Sequence, residues 1–237
     1  MRGCSTTKPG ALLKHHISVR TFADWTESKY GFLEVDLVAH SGKSAKGEYL
    51  HTLTAVDVET RQCELEVLPN NGQHAVEGTI DRIRERLPFP LLGLNSDTES
   101  AFPNGDFTLY CLDRKITFIQ CRLEKNDQAH IEEKNWSAVR KLVGYTRCDS
   151  PEVLAVLGAI YAGWRLFLNF FQPVWKLLSE EQVGSKVRKN YDRVQTPYQK
   201  VLASPRVSEE TKARLRVLYT TLIIMELRRR IQRYWSS

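Results

Sequence analysis

The stretch GFLEVDLVAHSGKSAKGEYLHTLTAVDVETRQCELEVL, residues 31–68, decides how this chain is read. It holds three runs of β-forming residues, Phe32–Val38, Tyr49–Val58 and Cys63–Leu68, parted by the turn-rich residues 41–47 and by Glu59 and Thr60. Connections this short favour strands that fold back on one another, so the stretch predicts an antiparallel meander. Within the first run Leu33, Val35 and Leu37 alternate with Glu34, Asp36 and Val38. The two-residue period of a strand puts Asp36 on the face of Glu34 and Val38.

Downstream of the meander the period lengthens. Residues 72–87 predict a helix with Ala75, Val76, Thr79, Ile80 and Ile83 on one face and charges on the other. Leu91–Leu94 is short and wholly apolar, as a central buried strand requires. A helix over 106–114, a strand over 116–119 and a polar loop over 122–129 follow. Next comes a helix opened by Glu132, with Trp136, Val139, Leu142 and Val143 as its core stripe, and then a long helix over 151–171. The order β-β-β-α-β-α-β-α differs from a doubly wound nucleotide-binding sheet, which alternates strand and helix from its start. Three regions result: a linker or arm over 1–29, an α/β core over 30–175 and a basic, helical extension over 176–237.

Composition narrows the classes. A chain of 237 residues with 42% apolar content can bury a full core without disulfides or metal staples. Its five cysteines, Cys4, Cys63, Cys111, Cys121 and Cys148, form no Cys-x-x-Cys pair, which argues against a zinc site and for reduced thiols in the cytoplasm. The N-terminus is polar and broken by Pro9 and Gly10, unlike a secretory leader, and the apolar run Val153–Trp164 is too short to span a bilayer. No membrane association is expected. Residues 1–175 hold 20 Lys+Arg against 22 Asp+Glu, a net of −2, while residues 176–237 hold 14 against 6, a net of +8. That asymmetry fits an acidic body beside a segment facing a polyanion, and equally a solubilising tail.

Three carboxylates carry the chemical signal: Asp36 inside a strand, Asp97 just past an apolar strand, and Glu132 at the start of a helix. Taken singly, Asp36 also fits a surface acid on a one-sided strand, Asp97 a turn or cap residue, and Glu132 an acid answering the helix dipole. Gly42-Lys43-Ser44 is not a phosphate-binding loop, because the glycine required five residues before Gly42 is Leu37. Asn135-Trp136-Ser137 spells a glycosylation acceptor, but on a predicted helix.

Taken together, the segments FLEVDLVAH (32–40), PFPLLGLNSD (88–97) and KNDQAHIEEKNW (125–136) resemble the integrase catalytic core of the Asp-Asp-Glu transposases. That ribonuclease H-like superfamily includes insertion-sequence transposases and retroviral integrases. The 34 residues between Asp97 and Glu132 are close to the separation such enzymes show, and further matches run through RKLVGY (140–145), NFFQP (169–173) and YDRVQTPY (191–198). The resemblance implies a mixed five-stranded sheet flanked by helices, with Asp36, Asp97 and Glu132 as the catalytic, metal-binding triad. Such a triad would hold two Mg²⁺ or Mn²⁺ ions, hard cations that prefer carboxylate and phosphate oxygens. The implied activity is DNA cleavage and strand transfer, with transposon ends and target DNA as partners.

Lys134, Arg140 and Lys141 on the Glu132 helix could reach phosphates near the metals, or form a solvated face, and Asn126 and His130 precede them in a position to orient DNA. Lys186, Arg188, Lys189, Arg193 and Arg228–Arg230 would neutralise DNA further out. Work on two transposon ends implies a homo-oligomer, in bacterial cytoplasm and on the nucleoid when bound to DNA, and Leu215, Leu218, Leu222 and Ile223 could face a partner or pack internally. Two departures from the family pattern leave alternatives. After Asp97 the chain reads Thr98-Glu99 where related enzymes carry Asn-Gly, and residues 1–30 do not spell the helix-turn-helix region expected upstream. The alternatives are a truncated or catalytically inactive DNA-binding remnant and a ribonuclease H-like nuclease.

Overall fold

The computed structural model describes residues 30–97, 105–121, 129–183 and 186–235. Strands β1 (Phe32–Ala39), β2 (His51–Asp57) and β3 (Cys63–Leu68) form the antiparallel meander, with Asp36 opposite Thr54 and Thr54 opposite Leu65. Helix α1 (Gln73–Arg86) then returns the chain so that β4 (Gly93–Asp97) lies parallel to β1. Helix α2 (Gly105–Asp113) leads to β5 (Thr117–Cys121), parallel to β4. The strand order is β3-β2-β1-β4-β5. A mixed five-stranded sheet of this order, flanked by helices, is the ribonuclease H-like arrangement that the sequence implied.

The β1/β4 register is set where the two strands begin. Gly31, at φ +92°, turns its carbonyl to accept from Leu92 N at 2.7 Å and Gly93 N at 3.0 Å. A side chain at Gly93 would bring its Cβ within 2.3 Å of the Phe32 ring, so only glycine lets the strands approach there. Pairing then runs Leu33 with Leu94 and Glu34 with Asn95.

The alternation in β1 sorts its side chains between two cores. Leu33 and Val35 pack with Ile80, Ile83, Leu94, Phe107 and Phe118 on the α1/α2 side. Val38 joins Val56, Leu65, Ile131, Val139, Ile160 and Tyr161 on the other, which places Glu34 and Asp36 on that second face as expected.

Covering the second face, α3 (Ala129–Lys134) continues into a π-helical segment (Asn135–Arg140) and a closing turn, α4 (Lys141–Val143). The wider turn shifts the helical phase, so Ile131, Ala138, Val139 and Leu142 are buried whereas Trp136, expected in the core stripe, stands 52% exposed. Helix α5 (Pro151–Phe170) starts on a Ser150 cap that accepts from Val153 N, and it packs on β3. Among the described residues it is the one helix long and apolar enough to cross a membrane, and Leu157, Ile160, Tyr161 and Leu168 bury its apolar face in the second core. Its Asn169 accepts from Cys63 N and donates to Cys63 O, both at 2.8 Å, substituting for a neighbouring strand along the edge of β3.

Past α5 the chain forms a hairpin that the expected helical extension did not contain: β6 (Leu177–Val183) antiparallel to β7 (Lys186–Tyr191). Helices α6 (Pro197–Ala203), α7 (Glu209–Thr221) and α8 (Ile224–Trp235) follow, and α8 packs on α5. Asp192 ties the hairpin to the helices by accepting from Lys176 N and from Lys200 Nζ, both at 2.6 Å. Thr196 and Gln199 form a reciprocal cap on α6.

Candidate metal centre on β1 and β4

Two of the three predicted acids sit at neighbouring places on parallel strands. Asp36 is two residues past Glu34 on β1, and Asp97 is two past Asn95 on β4, while Glu34 and Asn95 are paired. Asp97 therefore closes β4, at the carboxyl end where open sheets gather their chemistry, and Asp36 lies inside β1, two residues past its pairing with β4. The Asp97 side chain lies outside the described residues, as do Asn126 and the side chain of His130.

The Asp36 carboxylate is half-buried and held from two sides. Oδ1 accepts from the Leu37 amide at 2.7 Å, and Oδ2 accepts from Asn135 Nδ2 at 2.6 Å. Asn135 opens the π-helical segment, so this bond fastens the helix carrying Glu132 to the strand carrying Asp36. Sequence reading missed that role: Asn135 stood out only in a glycosylation pattern. Glu132 is exposed on the outward side of α3.

The donor chemistry suits a hard divalent cation, because Asp36 and Glu132 both offer carboxylate oxygens and Glu132 is exposed. Among the described residues, however, no three His, Cys, Asp or Glu side chains converge tightly enough to hold a metal.

The basic residues on the same helix differ in where they lie. Lys134 was expected to reach outward, yet it is only 7% exposed and faces Val56 and Arg61, because its phase is that of Ile131 and Ala138. Arg140 donates to Ala39 O at 3.1 Å and Gly144 O at 3.3 Å and lies over the Tyr145 ring, so its guanidinium pins the end of β1. Lys141 is exposed. Beyond β1, Arg147 donates to the carbonyls of Ser41, Ser44, Lys46 and Glu48, clamping the loop that follows the strand. Nothing in the sequence distinguishes Arg147 from other loop arginines.

Beneath the centre runs a buried chain: His40 Nε2 lies 2.7 Å from Thr52 Oγ1, which lies 2.8 Å from the Tyr161 hydroxyl. Burial, with the neighbouring Arg140 and His51 charges, holds His40 down at about 4, so the ring is neutral.

Further out, Arg188, Lys189 and Arg193 are exposed, and the Lys186 side chain lies outside the described residues. The hairpin register sets Glu180 opposite Lys189 and Glu181 opposite Arg188.

No protein-family model matches this chain. It is 37% identical over 180 residues to the uncharacterized protein y4rM of Sinorhizobium fredii, an alignment covering 76% of this chain and 51% of that protein. The chain thus spans about half the length of the curated relative it matches. Among solved structures it is similar to the catalytic core domain of BIV integrase, at 18% identity and a TM-score of 0.46, over 71% of this chain and 91% of that one.

Proposed function

We propose that this chain is the catalytic core of a transposase or integrase that cuts DNA and joins the cut strand to a target, with Asp36, Asp97 and Glu132 as its metal ligands. The observation that carries the reading is the Asn135–Asp36 bond, which docks the Glu132 helix on β1, beside the parallel strand that carries Asp97. Asp36, Asp97 and Glu132 would hold Mg²⁺ or Mn²⁺, which when bound would supply Lewis-acid activation and charge stabilisation for phosphodiester chemistry. The chain's own work is positional. Asn135 and the Leu37 amide fix the Asp36 carboxylate, the β1/β4 register fixes its spacing from Asp97, and the exposure of Glu132 leaves that acid accessible to a metal–DNA complex. DNA is the partner, the assembly is a homo-oligomer, and the setting is the bacterial cytoplasm.

A second reading, a DNA-binding remnant without chemistry, is favoured by Thr98-Glu99, which adds a carboxylate beside Asp97 and removes a permissive glycine. A Mn²⁺-dependent cleavage and strand-transfer assay separates the two. It compares the wild type, Asp97→Asn and the double variant Thr98→Asn/Glu99→Gly. Products that vanish in Asp97→Asn support the enzyme, and products that appear only in the double variant identify a decayed one. Metal-indifferent DNA binding with no products in all three chains supports the remnant.

A further inference from the structure

Three exposed side chains of different chemistry line one edge of the helix that runs from α3 through the π-helical segment to α4. Glu132 stands near its start, Trp136 lies four residues on, and the Lys141 amide donates to Trp136 O five residues back. Turns closed at four- and five-residue spacing set these residues over one another, roughly 5 Å apart per turn. The indole is the unexpected member. Apolar spacing would bury it with Val139 and Leu142, yet the wider turn leaves it 52% exposed. Single π-turns within helices recur at functional sites. Among the described residues no ring, cation or hydrogen-bond acceptor meets the indole, and Lys141 enters no ion pair. The neighbouring Arg140 guanidinium, by contrast, is engaged by Ala39 O, Gly144 O and the Tyr145 ring.

We propose that Trp136 stacks on an unpaired base of the DNA strand held at the centre, while Lys141 takes a phosphate of the same strand. The proposal rests on the reading of Glu132 as a metal ligand and adds the form of the substrate: a strand whose bases are unpaired beside the point of cleavage. The chemistry of the row selects this occupant. An indole face accepts a base of any sequence, because every base has a π-face. An exposed ammonium one turn away answers the phosphate that such a base carries with it. Inside a duplex each base is stacked between its neighbours, so the indole favours a strand end or an unpaired stretch. A protein partner would have to cover the indole together with Glu132 and Lys141, and charged residues are depleted at the cores of such interfaces.

The test is fluorescence-anisotropy titration of the full chain, without metal, against single-stranded and blunt duplex DNA of one sequence. Thermal melts and light scattering accompany it, for the wild type, Trp136→Ala, Trp136→Phe and Lys141→Gln. We expect Trp136→Ala to weaken the single strand about tenfold and the duplex by less than about twofold, with Trp136→Phe retaining most of the affinity. Lys141→Gln lowers the single-strand salt slope by about 0.7, the share of one phosphate. All three variants melt with the wild type, because the replaced side chains are exposed. The proposal is overturned by a wild type that binds no single strand, by equal losses on strand and duplex, or by Trp136→Phe as weak as Trp136→Ala. It is overturned equally by a Trp136→Ala chain that keeps its strand affinity or changes its oligomeric state, the latter making the indole a protein contact. The Mn²⁺ cleavage assay is read separately. Products alongside strand binding indifferent to Trp136 keep the enzyme and remove this contact, whereas strand binding that depends on Trp136 without products keeps the contact and removes the metal chemistry.

Discussion

At the scale of single residues, two buried titratable groups near the sheet oppose one another as pH changes. His40 titrates at about 4 in the fold against 6.5 when unfolded, so the unfolded chain takes up the proton first. The stability that neutral His40 contributes is complete above pH 6.5 and is lost as pH falls to about 4, roughly 3 kcal/mol in all. Asp57 accepts from Gly31 N and from both the amide and hydroxyl of Thr60, yet burial pushes it up to about 6 from 3.8. There the folded chain takes the proton first, so stability rises as pH falls from about 6 to 3.8. The two slopes nearly cancel between pH 4 and 6. Urea unfolding across that window should be almost flat for these groups in the wild type, should fall with acid in Asp57→Asn, and should rise with acid in His40→Gln. Parallel pH profiles in the two variants would show that neither group titrates as its burial requires.

At the scale of elements, the motifs outside the sheet turn out to fasten elements together. NFFQP (169–173) supplies Asn169, whose amide closes the edge of β3, and YDRVQTPY (191–198) supplies Asp192 and the Thr196 cap. Replacing Asn169 with Leu keeps the volume but leaves Cys63 N and O unmet, at about 1–3 kcal/mol each. The urea midpoint should drop accordingly at an unchanged m-value, and a midpoint within error of the wild type would mean water satisfies that edge. The elements that were legible in the sequence were those whose side chains sort by period. The meander, α1, β4, α2, β5 and α5 fall close to their expected bounds because apolar residues at two- or 3.6-residue spacing must face a core. The hairpin was not legible: Leu-Leu-Ser-Glu-Glu-Gln-Val and Lys-Val-Arg-Lys-Asn-Tyr lack an apolar alternation, since both faces of β6–β7 are largely solvated. The π-helical segment was equally hidden, because one extra residue in a turn leaves composition unchanged while moving Trp136 outward. For the candidate centre, the strand positions of Asp36 and Asp97 followed from pattern. The Asn135 contact did not, since it depends on tertiary docking across 99 residues of chain.

Over the whole molecule, what matters is where the C-terminal excess of positive charge can act. In β7 the basic residues stand opposite Glu180 and Glu181, and in α7 Lys212 and Arg216 both pair with Glu209. Helix α8 is different: Leu227 and Ile231 bury its inner face, while Arg229 and Arg233 are exposed and enter no described ion pair. Each phosphate neutralised on duplex DNA contributes about 0.9 to the slope of log affinity against log salt. If DNA is the partner, the double variant Arg229→Gln/Arg233→Gln should lower that slope by about 1.8. Arg188→Gln/Lys189→Gln should lower it by less, because the strand register sets those residues opposite acids of β6. Filter binding over a salt series measures both. An equal or larger loss from the hairpin pair would place the polyanion along β7 and make the acids of β6 spectators, whereas no change from either pair would return the C-terminal charge to a solubilising role and leave Lys141 and the strand ends to carry DNA contact.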